Sequence, residues 1–171
     1  MTTLARFANT VMLMAIGLGF GTVSHAQNSK KEKAARQEKE IKNLIDSQKY
    51  VFKAQMVYPL GGRSRNLTSD YDLRVTKESV VSYLPYFGRA YSATPGSSSG
   101  GIEFTSKEFE YAVFAGKKGE WEILIKPKDT QVARELRLTA YKNGTANLQV
   151  NSNDKQSISY SGYIAAIKAK K

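Results

Sequence analysis

Between residues 50 and 167 the chain alternates apolar and polar side chains in nine short stretches, and no connection between them is long enough for a crossover helix. A parallel sheet requires such crossovers, so these strands must pair antiparallel. They run over residues 50–57, 71–75, 80–84, 102–105, 109–115, 121–126, 134–141, 145–150 and 157–167. Where the alternation is clearest it names a core face: Trp121, Ile123 and Ile125; Leu136, Leu138 and Ala140; Ile158, Tyr160, Gly162 and Ile164. Turn residues separate the stretches, among them Gly61-Gly62, Gly116-Lys117-Lys118-Gly119 and Asn143-Gly144, the last predicting a type I′ hairpin turn. Short consecutive connections suit an up-and-down barrel better than a Greek-key sandwich, which is the alternative. The expected fold class is mainly β, a small antiparallel barrel preceded by one N-terminal helix.

That helix is expected at residues 28–48, dense in Lys, Glu, Ala, Arg and Gln, with Ser29 and Glu32 spaced as a capping box. Its apolar stripe, Ala34, Ile41, Leu44 and Ile45, is strong only in the C-terminal half, so the helix should pack on the β body by that end. Residues 1–26 read as a signal peptide, with Arg6 before an apolar core from Val11 to Phe20 and Ser24-His25-Ala26 as the cleavage site. The expected organisation is thus a signal peptide at 1–26, a basic helical segment at 27–49, one β domain at 50–167 and a basic tail at 168–171. The expected location is the periplasm. No stretch reaches the ~20 apolar residues of a membrane-spanning helix.

Charge and missing residue types exclude several function classes. The formal charge is +11; without Arg6 it is +10, from 25 basic and 15 acidic residues, and residues 50–167 hold only +4 of it. A nucleic-acid reader instead concentrates basic charge on one aromatic-bearing face, so no nucleic-acid partner is expected. The chain has no cysteine, and its one histidine, His25, lies within the signal peptide. The remainder lacks the residues behind most zinc, haem and nucleophile–imidazole sites, so no metal, cofactor or catalytic residue is assigned. The carboxylate pairs Asp70/Asp72, Glu108/Glu110 and Glu120/Glu122 alternate with Tyr71, Phe109 and Trp121; the aromatics need the core, so the carboxylates should face water and no enzyme is expected.

The densest recognition chemistry lies at residues 84–91, Leu84-Pro85-Tyr86-Phe87-Gly88-Arg89-Ala90-Tyr91, just before the Gly/Ser-rich loop at 92–101. Flat amphipathic rings and a guanidinium supply contact area and directed hydrogen bonds. With Arg63 in the preceding turn, Tyr86, Phe87, Arg89 and Tyr91 are the candidate lining of a barrel mouth that binds a small organic anion or an extended peptide. Pure closure of the barrel end, with Arg89 neutralising a carboxylate, explains the same residues. The two functional readings are a non-enzymatic binding module for such a ligand, and a structural or interaction protein of the cell envelope with a filled interior. The partner is accordingly an unknown small ligand or an envelope protein.

In this order, Pro59-Leu60-Gly61-Gly62-Arg63, Leu67 with Asp70-Tyr71, residues 84–91, Ile102-Glu103-Phe104, Asn143-Gly144 with Leu148, and Ile158-Ser159-Tyr160-Ser161-Gly162 form a specific series. By it the chain resembles a family of exported bacterial proteins common in Bacteroides and its relatives, catalogued as domain of unknown function 4251, from about Ile41 to Ile164. Where that family usually shows Asn-Arg before the last strand, this chain has Asp154-Lys155. The resemblance implies a periplasmic domain with a lipocalin-like β fold after an N-terminal helix, and it brings no activity or catalytic residue.

Overall fold

The computed structural model describes residues 24–91 and 100–167. The signal peptide expected at 1–26 falls outside them up to residue 23, as do residues 92–99 of the Gly/Ser-rich loop and the tail at 168–171. One helix, α1 (Ser24–Asp46), precedes ten strands: β1 (Tyr50–Pro59), β2 (Arg65–Asn66), β3 (Asp72–Val75), β4 (Val80–Leu84), β5 (Ile102–Ser106), β6 (Phe109–Ala115), β7 (Trp121–Pro127), β8 (Glu135–Ala140), β9 (Thr145–Asn151) and β10 (Ile158–Ala166). All nine expected strands are present; the two-residue β2, paired with Met56 and Val57 of β1, has no periodicity to announce it. Among the described residues no helix is long and apolar enough to cross a membrane.

The sheet runs in the order β5-β4-β3-β1-β10-β9-β8-β7-β6, with β2 beside β1, and every pairing is antiparallel. Nine strictly alternating strands would leave the first and last parallel, yet β1 and β10 are antiparallel over their length. One connection therefore does not reverse the chain. It is the one from β5 to β6, which are separated by two residues and run in the same sense as halves of one bent strand, β5 pairing with β4 and β6 with β7. The Asp129 carboxylate holds the bend by accepting the N–H groups of Lys107 (2.7 Å) and Glu108 (3.3 Å). The result is a nearly closed antiparallel barrel of nine strands, as expected from the strand spacing.

The interior is filled by alternate side chains of the strands other than β2, with β6 contributing the partly buried Phe109 and Tyr111. Tyr50, Phe52, Leu73, Leu84, Ile102, Ile123, Ile125, Leu136, Leu138, Leu148 and Tyr160 are fully buried. The buried tyrosines keep their hydroxyls partnered: Tyr160 donates to the Pro85 carbonyl (2.7 Å), and Tyr50 meets Tyr111 (3.4 Å). Burial raises the pKa of both well above the ordinary tyrosine value, so they stay neutral. Trp121, expected in this core, is only half-buried and packs against it from the first position of β7.

The chain divides into two compact units, one ending at Ala35 and one beginning at Arg36, so α1 crosses the boundary. Within the second unit, Ile41 and Ile45 join the barrel core while Gln37 donates to the Asn143 carbonyl (2.7 Å) and Lys142 pairs with Glu38 (2.8 Å). The apolar half of the helix thus closes one barrel end, as its stripe predicts; Ala34 lies in the first unit and is exposed. The capping box does not form. Residues 24–28 are already helical, so Ser29 lies inside the helix rather than at its cap.

The hairpin at Asn143 also departs from the type I′ turn. Gly144 donates to the Tyr141 carbonyl (2.9 Å) and Tyr141 to the Thr145 carbonyl (2.9 Å), with positive φ at Gly144 (+80°) but not at Asn143. The loop is three residues long, a type I turn closed by a left-handed glycine. Asn143 stays right-handed because its Oδ1 accepts from the N–H (3.1 Å) and hydroxyl (2.7 Å) of Thr145. The β6–β7 hairpin repeats the pattern at Gly119 (φ +77°).

Candidate functional site

The end of the barrel opposite the helix is built from the segment after β4. Leu84 ends the strand fully buried, and Pro85 presents its carbonyl inward to Tyr160. The next residues lie antiparallel against 154–156: Tyr91 N–H donates to the Asp154 carbonyl (2.7 Å), Gln156 N–H to the Arg89 carbonyl (3.1 Å), and Ala90 bridges Lys155. The Tyr86 hydroxyl reaches the carbonyls of both Arg89 (2.7 Å) and Gln156 (3.1 Å). Burial raises its pKa, against a lowering by the Gln156 hydrogen bond.

Lys155 pins this frame. It is only 8% exposed; its ammonium donates to the carbonyls of Gly101 (2.9 Å) and Gly100 (3.5 Å) and stands over the Tyr86 ring, 5.3 Å from its centroid. The sequence marks Lys155 only as half of the Asp154-Lys155 departure, and nothing in the local pattern distinguishes it from a solvated lysine.

Of the five candidate residues, Tyr86 is thus a half-buried part of the frame, while Phe87, Arg89, Tyr91 and Arg63 are exposed. The ring of Phe87 carries a cation, but from Arg65: its guanidinium carbon lies 4.9 Å from the ring centroid. Arg65 was missed because its strand is two residues long; the signal for it is its place two residues from Arg63. Among the described residues no ion pair joins Arg89 to a carboxylate; its backbone, through the carbonyl, holds the frame, and its guanidinium faces outward. Tyr58 and Leu60, at the end of β1, are also exposed. The surface is aromatic and basic, set on a hydrogen-bonded backbone.

A second cluster lies on the outer wall. The register aligns Tyr163, Lys53, Asp72 and Tyr83 across β10, β1, β3 and β4. Asp72, expected to face water, is only 5% exposed: its Oδ2 accepts from Lys53 (2.9 Å) and Arg74 (3.3 Å). Two cations and flanking tyrosines cover a carboxylate that alternation alone would leave wet. A shallow groove of about 400 Å³ runs here past Val51, Lys53, Arg74 and Tyr163. Of the other carboxylate pairs, Glu110 binds Lys128 (2.9 Å), whose hydrogen bond and charge lower its pKa, and Glu120 accepts from the Lys118 N–H (2.9 Å). Among the described residues no three His, Cys, Asp or Glu side chains converge as metal ligands would.

Filled interior, helix-closed base and next-neighbour strand order define a small antiparallel β barrel. Over residues 32–164, most of this barrel and the helix leading into it, the chain belongs to the family described as Domain of unknown function (DUF4251). It is similar in fold to the crystal structure of a DUF4251 family protein from Bacteroides eggerthii DSM 20697, with a TM-score of 0.59 at 17% identity over 77% of this chain and 89% of that one. A search of curated proteins finds no match.

Proposed function

We propose that this protein is a non-enzymatic interaction module of the bacterial cell envelope, exported by cleavage after Ala26, that docks a partner protein on the outer surface of its loop-bearing barrel end. The observation that carries this reading is the Arg65–Phe87 pair, a cation over a ring that is itself 41% exposed, on a backbone fixed by Tyr86, Gln156 and Lys155. Exposed aromatics with arginine are the chemistry of interface hot spots. Three guanidiniums, Arg63, Arg65 and Arg89, favour a partner segment bearing carboxylates. The filled core supports a surface function over an internal ligand pocket.

Export is tested by the mass of the protein recovered from the periplasm, expected to begin at Gln27. For docking, in-cell crosslinking should capture the same envelope protein with the wild type and lose it with Phe87→Ala and with Arg65→Ala, both at unchanged melting temperature. A small molecule retained in native mass spectrometry by all variants would replace this reading with a carrier.

A further inference from the structure

The sheet order ends on β5 and β6, each paired on one side only, and β6 is the longer of these two end strands. β6 pairs with β7 along its whole length, and among the described residues no strand pairs with its other edge. The bonds at either end of this pairing show what that edge offers. Gly116 N–H donates to the Glu120 carbonyl (2.8 Å) and Lys128 N–H to the Glu108 carbonyl (2.7 Å), so even-numbered residues of β6 turn their backbone groups to β7. Tyr111, Val113 and Ala115 therefore turn theirs outward.

Such an edge is normally protected by lysine, proline, a bulge or inward charge. β6 has none of these. Its single charge, Glu110, is held by Lys128, and beyond it Val113 is 40% and Phe114 54% exposed. From Tyr111 to Ala115 the strand is uncharged, so pairing over this run sets no like charges opposite each other.

Side-chain size selects how two copies fit. Antiparallel pairing about a two-fold axis at Val113 sets Phe114 opposite the partner's Ala112 on the outer face and Tyr111 opposite the partner's Ala115 on the inner face. Each large side chain meets a small one, and the outward backbone groups of residues 111, 113 and 115 all find partners. An axis at Ala112 instead sets Phe114 against a glutamate, and one at Tyr111 stacks two tyrosines and leaves Phe114 beyond the uncharged run. From this self-complementarity we infer that β6 is a dimerisation edge, joining two copies of the chain through an isologous β6–β6 pairing centred on Val113.

Sedimentation of the purified protein tests it. The wild type should show the mass of two chains across a dilution series. Val113→Lys, which adds an edge charge, and Val113→Pro, which removes the central outward N–H, should show one chain with the circular-dichroism spectrum of the barrel unchanged. Because the chain has no cysteine, Val113→Cys gives a clean crosslink: paired Cα atoms on the axis lie about 5.5 Å apart, within disulfide reach. Oxidation should join two Val113→Cys chains but not two Tyr58→Cys chains, whose cysteine is exposed elsewhere. If Val113→Pro fails to fold, the crosslink decides. A one-chain mass for the wild type overturns the inference and leaves the edge to a strand of another protein. A two-chain mass unchanged by Val113→Lys, with no Val113→Cys crosslink, also overturns it.

Discussion

Gly162 stands in β10 opposite the bulge of β1, where the register shifts between Ala54 and Met56. A Cβ there would overlap the Lys53 carbonyl oxygen, and this obstacle is backbone rather than a movable side chain. Gly162→Ala must therefore push β1 and β10 apart along the longest seam of the barrel. The expected loss of stability exceeds about 4 kcal/mol, the range reserved for mutations that break a core element. A urea unfolding midpoint near the wild-type value would show that the strands can separate there at little cost. The alternation of β10 predicts that residue 162 faces inward but cannot tell that the site admits no side chain, because the approach comes from a strand more than a hundred residues earlier.

Among the elements, the strands were the most legible, since a period of two over four to ten residues survives in any antiparallel sheet with one buried face. Helix α1 announced which of its ends packs through Ile41 and Ile45, but its Ser29–Glu32 cap signal does not mark a helix end, because residues 24–28 are already helical. The β5–β6 bend was illegible: its clasp, Asp129, lies two strands away. Hydrogen bonds from the Ser106 hydroxyl and the Lys107 N–H hold the Asp129 carboxyl below the usual aspartate range. The Arg137 hydrogen bond does the same for Glu135. Both pKa values are lower folded than unfolded, so the unfolded chain binds more protons as acid is added. Their stabilisation is full above the unfolded values, near pH 4, and is lost as pH falls through the folded ones. Chemical unfolding followed from neutral pH downward should show this loss below about pH 4. Asp129→Asn should flatten part of the decline; an equally steep decline in that variant would mean the clasp does not contribute.

For the whole molecule, period and turn spacing predicted a barrel but not its closure. Closure rests on β1 pairing with β10 across most of the chain and on one connection that fails to reverse, and neither leaves a local trace in composition. The candidate site was half legible for the same reason. The aromatic block stood out at residues 84–91, whereas Lys155 and Arg65, which fix and complete it, come from other parts of the chain and take their roles only from the fold. The division at Ala35 gives this account a test at the largest scale. Ile41 and Ile45 belong to the barrel core, and the first unit ends before them. A chain starting at Arg36 should therefore unfold at nearly the wild-type denaturant midpoint, in one transition. A chain starting at Ser47 loses Ile41 and Ile45 from a closed apolar end. Each emptied isoleucine site costs roughly 2–5 kcal/mol by analogy with large-to-alanine exchanges, so this second truncation should be unfolded or grossly destabilised. Equal midpoints for the two truncations would show that the barrel end is sealed without the helix.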